Sequence, residues 1–109
     1  MSYDTDIVMK CCGVRVRDVG NMTSNVSGMW ELALGGRTLS SLHGLGCDEA
    51  LPLLNAAISH MAAPENGVEY AKMEPRNGWG SAETAIKYLR DIRAACEDYG
   101  AKGKLEFLT

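Results

Sequence analysis

Residues 81–100, SAETAIKYLRDIRAACEDYG, carry the strongest periodicity in the chain. Ala82, Ala85, Ile86, Leu89, Ile92, Cys96 and Tyr99 step by three or four and so share one stripe of an α-helix. Glu83 and Lys87 add an exposed i,i+4 pair. Ser81 or Gly80 caps the start, and Gly100 stops the run. A helix with a single apolar stripe has to bury it against another layer. What flanks this helix therefore decides the fold class.

Directly after it, KLEFL (104–108) alternates apolar and polar residues in the manner of an edge strand. Near the other end of the chain TDIVMKC (5–11) reads as a strand, with Ile7, Met9 and Cys11 alternating with Val8 and Lys10. Gly13 follows as either a hairpin turn or a bulge. Val14-Arg15-Val16-Arg17 then puts the valines on one face and the arginines on the other. DVGNMTSNVS (18–27) reads as a polar connection into a helix, where Val26, Met29, Trp30, Ala33 and Leu34 recur at helical spacing before Gly35-Gly36. One of Thr23, Ser24 or Asn25 is the N-cap. Gly28 inside that helix costs about 1 kcal/mol against Ala, which points to close packing on its backbone.

RTLSSLHGLG (37–46) is irregular, and a second helix begins near residues 47–49. Pro52 is tolerated only close to a helix start, Leu51, Leu54, Ile58 and Met61 form the buried stripe, and Pro64 closes the run. Residues 65–80 form a long turn-rich connection with one helical turn around 68–73. The order strand, strand, helix, helix, helix, strand implies an α+β fold. It should be a small, mostly antiparallel sheet of about three strands with about three helices on one face.

At 109 residues the chain is read as one domain, 1–109. A net charge of −3 and a pI near 5.3 argue against sequence-independent grip on nucleic acid. MSYDTDIVMK has acidic residues where a signal peptide needs basic ones, and no window reaches the length of a membrane span. The expected location is the cytoplasm. The two N-x-S/T matches in NMTSNVS (21–27), at Asn21 and Asn25, are then not sugar acceptors. Cys11, Cys12, Cys47 and Cys96 form no C-x-x-C and read as reduced, mostly buried thiols, and the adjacent pair would face opposite sides if both lie in a strand. Only His43 and Cys47 have a helix-compatible ligand spacing, so neither a metal nor a cofactor is expected.

Two polar, glycine-bearing segments run into helix starts: NMTSNVSG (21–28) and PRNGWGS (75–81). A helix start offers unpaired N–H groups and a partial positive charge, which suit phosphate. Asn21, Thr23, Asn25 and Asn77 can hydrogen-bond base or ribose edges. Gly78 lets backbone approach a ligand, Trp79 offers a stacking face, and Arg76 can meet a phosphate. His43 reads as a structural or ligand-contacting histidine, since no nucleophile or carboxylate is tied to it by spacing. His60 reads as solvated, and Glu65, Glu69 and Glu74 have no fixed mutual geometry. No acid–base pair can be assembled, so an enzyme is not expected. If instead those segments only cap helices, the same residues are structural.

Three motifs taken in order, NMTSNVSGMW (21–30), LHGLGCDEALPLLNAAI (42–58) and NGWGSAETAIKYLRDIRAAC (77–96), resemble a family of small proteins encoded in phage and prophage genomes. The matched positions are Thr23, Asn25, Met29, Glu49, Pro52, Asn77, Gly78, Trp79 and Gly80. The resemblance implies a phage origin, a host-cytoplasmic site of action and a counter-defence context, and brings no activity with it. The expected function is therefore non-enzymatic sequestration of a small nucleotide-like ligand between the 21–27 and 75–81 segments. The alternative is an inhibitor that binds a host defence protein through a surface patch, with Met22, Trp30 or Trp79 as anchors, and a homo-oligomer is compatible with either.

Overall fold

The computed structural model describes residues 2–75, 78 and 80–108. It is an α+β fold with a three-stranded antiparallel sheet of order β2-β1-β3, formed by β1 (Ser2–Met9), β2 (Arg15–Thr23) and β3 (Gly103–Leu108). Among the described residues four α-helices follow β2: α1 (Ser27–Ala33), α2 (Cys47–Ala62), α3 (Gly67–Lys72) and α4 (Ala82–Tyr99). The additional helix, α3, forms at the turn read at 68–73, shifted by one residue.

Gly13 makes a turn, not a bulge. Its φ is +71°, its N–H donates to Met9 O at 2.8 Å, and Met9 N–H donates to Val14 O at 2.9 Å. Cys11 and Cys12 therefore sit exposed in the turn instead of on two faces of a strand, and only Cys47 and Cys96 are buried.

β2 runs on to Thr23 and takes in most of the segment read as a polar connection. Its pairing with β1 is interrupted between Thr5 and Asp6 and again between Ile7 and Val8. Val19 and Val16 are the extra residues of these two bulges. The second bulge separates the two arginines: Arg17 opposes Ile7 while Arg15 opposes Val8. Consecutive β1 residues face opposite sides, so the arginines do too. Arg17 reaches Asp98 of α4 at 3.2 Å on the helix side, and Arg15 lies 3.5 Å from Asp6 on the open side. The split of valines and arginines by face is thus overturned by one inserted residue.

The outer edge of β3 is covered by its own chain. Gly44 N–H donates to Leu105 O at 2.8 Å, and Leu105 N–H donates to Leu45 O at 2.9 Å. Among the described residues no strand pairs with the outer edge of β2, which is blunted by its bulges and charges. The core lies between sheet and helices: Ile7 and Leu105 meet Met29 and Trp30 of α1, Leu54 and Ile58 of α2, and Leu89 and Ile92 of α4. Trp30 is fully buried, its Nε1–H donating to Ala85 O at 3.1 Å and its ring packed edge-on to Tyr3 and tilted against Tyr88. A side chain so enclosed cannot anchor a partner, which removes Trp30 from the surface candidates. Among the described residues no helix is long and apolar enough to cross a membrane.

Candidate functional site

The start of α4 is capped by its own chain. Ser81 Oγ accepts from Thr84 N–H at 3.2 Å, and Ser81 N–H donates to Thr84 Oγ1 at 2.8 Å, a reciprocal capping box. Ala82 N–H donates to the Glu74 carboxylate at 3.0 Å. Negative charge at a helix start is favourable, and here Glu74 supplies it. Sequence gave Glu74 no partner, because eight residues and a turn separate donor from acceptor.

One residue before that cap, the two segments singled out in the sequence meet. Gly80 has φ +101°, and a Cβ placed on it would lie 2.7 Å from Val26 Cγ1 and 3.1 Å from Thr23 Cγ2. Only a residue without a side chain permits this approach and this backbone conformation. The contact surface is hydrocarbon. Thr23 turns its methyl towards Gly80 while its hydroxyl accepts from Asn25 N–H at 3.3 Å, capping the short 3₁₀ turn Ser24–Val26. Thr23 thus caps the 3₁₀ turn that leads into α1, whereas the N-cap of α1 itself is Val26, which has no side-chain cap, so none of Thr23, Ser24 and Asn25 caps that helix directly. Asn25 is exposed at the rim of the seam, and exposed Asn21 opposes Asp4 in the sheet.

A second contact extends the seam. A Cβ on Gly28 would lie 3.3 Å from Met73 Cε, the close packing that a glycine inside α1 implied. Met73 and Leu32, one turn along α1 from Gly28, both keep substantial exposure at 36% and 41%. Gly78 is exposed with φ +75°. Arg76, Asn77 and Trp79 lie outside the described residues.

His43 stands apart from the seam. Its Nδ1 accepts the Phe107 N–H at 2.9 Å beyond the β3 edge. Phe107 pairs with Thr5, and Thr5 pairs with Gly20. That places His43 about three strand spacings, roughly 14 Å, from β2. A backbone N–H can donate only to an unprotonated nitrogen, so this ring carries its proton on Nε2 and continues the β3 edge ladder. His60 also has a structural partner, with Nδ1 2.6 Å from the buried Tyr70 hydroxyl. Among the described residues, no group of three or more His, Cys, Asp or Glu is placed to hold a metal ion.

Beneath the seam lies a residue that sequence analysis did not single out. The Tyr88 hydroxyl is buried against Thr5 Oγ1 (2.5 Å), Gly20 O (3.0 Å) and Tyr3 O (3.2 Å). It ties α4 to β1 and β2 at the first bulge. Burial pushes its pKa up to about 12, with Asp4, Asp18 and Asp6 adding to the rise and the Thr5 hydrogen bond opposing it. Its position in the α4 repeat, between Ala85 and Leu89, was the available signal, since a tyrosine on a buried face needs a polar partner.

Neither family models, curated proteins nor solved structures gave a match to this chain.

Proposed function

We propose that this chain is a phage-encoded, non-enzymatic binding protein that sequesters a small nucleotide-like ligand between the 21–27 and 75–81 segments. The observation that supports this reading is the close approach of Gly80 to Thr23 and Val26, which brings two helix-start segments distant in sequence to one place. Exposed Asn25 at the rim supplies donor and acceptor groups for a base or ribose edge. The Ala82 N–H, already turned towards a carboxylate, is the kind of group a phosphate oxygen uses, and a ligand phosphate would have to displace Glu74 from it. Both histidines use Nδ1 for structural contacts, which favours binding over acid–base chemistry.

The test is thermal unfolding with cyclic and ADP-ribose-type nucleotides. A ligand at ten times its Kd adds about 1.4 kcal/mol, which raises Tm by several degrees in a domain of this size. The rise should be lost in Asn25→Ala. Absence of any shift at millimolar nucleotide refutes the reading.

Exposed Leu32 and Met73 beside the same seam favour a second reading, an inhibitor that docks on a host defence protein. Leu32→Asp would then abolish stoichiometric capture from infected cells, and would leave nucleotide-dependent shifts unchanged if the first reading holds.

A further inference from the structure

Away from the seam, the β1–β2 turn carries two adjacent exposed thiols. The turn is held by the Met9–Val14 and Gly13–Met9 hydrogen bonds, by Lys10 N–H on Lys102 O at 2.9 Å, and by Lys10 Nζ 3.7 Å from Asp48. Within it, Cys11 S–H donates to Cys12 Sγ at 3.4 Å. We propose that Cys11 and Cys12 form a bidentate chelate site for trivalent, thiophilic main-group centres, of which arsenic(III) is the type.

The geometry selects the ligand. With sulfur bonds of about 2.3 Å, two sulfurs 3.4 Å apart subtend about 95° at a bridging atom. A linear two-coordinate ion such as Cu(I) would need them about 4.6 Å apart with bonds of that length. Tetrahedral zinc would need about 3.8 Å and two further ligands, and among the described residues no third His, Cys, Asp or Glu joins the pair. A trivalent arsenic centre bonds through orbitals near right angles and keeps a lone pair, so it accepts the bite already present.

Direct oxidation of the pair is the poorer fit. A disulfide needs sulfurs about 2.05 Å apart and Cα atoms usually about 4.4–6.8 Å apart. Adjacent residues hold their Cα atoms about 3.8 Å apart. An inserted atom relieves that ring; a direct S–S bond strains it. The backbone N–H of Val14 and the Cys11 thiol lower the pKa of Cys12 while that of Cys11 is raised, chiefly by the same thiol contact, so Cys12 is the first nucleophile. An arsenoxide R–As=O loses its oxygen as water, which carries away both thiol protons. Two As–S bonds form, and arsenic remains trivalent throughout.

The test uses the full chain with phenylarsine oxide in excess glutathione, read by intact mass and by alkylation mapping. The expected result is one adduct per chain that protects Cys11 and Cys12 from alkylation. Cys11→Ser and Cys12→Ser should each weaken it about 100-fold or more, since one sulfur forfeits the effective concentration of the second. Both residues are exposed turn positions, so Tm should change little in either variant. An adduct retained by either variant, protection found instead at Cys47 and Cys96, or a Cys11–Cys12 disulfide forming with oxidised glutathione in preference to the adduct would each overturn the proposal.

Discussion

Replacing Gly80 with Ala tests whether the two helix-start segments are joined as described. Two costs arise from the structure. The backbone at Gly80, φ +101°, disfavours any L side chain, at about 1–2 kcal/mol. The new Cβ would also stand 2.7 Å from Val26 Cγ1, and Val26 is fully buried with little room to retreat. Such overpacking costs about 1–3 kcal/mol. The total is about 2–5 kcal/mol. At about 2.1 cal/mol/K of unfolding entropy per residue, 109 residues turn a 3 kcal/mol loss into a Tm drop of about 13 °C. Gly78→Ala is the control, because Gly78 also has positive φ, +75°, but no described atom lies within 4 Å of its Cβ position. It should lose only the conformational part, about 1–2 kcal/mol. In a Val26→Ala background the obstructing methyl is gone, so Gly80→Ala should cost about 1–2 kcal/mol less than in the parent. Urea unfolding of the four proteins in that cycle measures the coupling. Equal losses for Gly80→Ala and Gly78→Ala, or additivity in the cycle to within about 0.5 kcal/mol, would refute the contact and with it the seam.

The remaining predictions address the polar contacts. Tyr88→Phe removes the partner of the Thr5 hydroxyl and of the Gly20 and Tyr3 carbonyls, and should cost about 1–3 kcal/mol by urea unfolding. A raised native pKa of about 12 means the folded state keeps the Tyr88 proton after the unfolded chain loses it near 10. This contribution is complete below pH 10 and lost as pH climbs towards 12, by up to roughly 2–3 kcal/mol, so the gap between wild type and Tyr88→Phe should shrink across that window. His43→Ala leaves the Phe107 N–H without its acceptor, and its amide should exchange with solvent about ten-fold faster while the stability loss stays near 1–2 kcal/mol. Ser81→Ala, which breaks the capping box, should cost about 1 kcal/mol in thermal unfolding, and Glu74→Ala about half that, with only the Glu74 effect reduced by added salt.

Much of this architecture is written locally in the chain. The apolar stripes of α2 and α4, the serine cap and the glycine stop of α4 are all short-range signals, and the helices lie where the three-to-four-residue spacing places them. The alternating run at 104–108 forms β3, and the α+β order follows from the succession of these elements. Boundaries fared worse in β2, where half-buried Val19 and Met22 pack against the core and draw a polar segment into the sheet. Of the candidate site, the glycine at position 80 and the threonine cap were visible as residue types, whereas their contact was not.

What the linear order of residues determined by itself is the set of amphipathic pieces and the limits of the two long helices, because helix and strand periods, caps and turns act over a few neighbours. Only the folded chain decided which pieces touch. It put Gly80 against Val26, sent His43 to the outer edge of β3, enclosed Trp30, and parted Arg15 from Arg17 through a bulge. Each of those outcomes joins or separates residues through the packing of a shared core, where one side chain's place depends on the volume and hydrogen bonds of all the others.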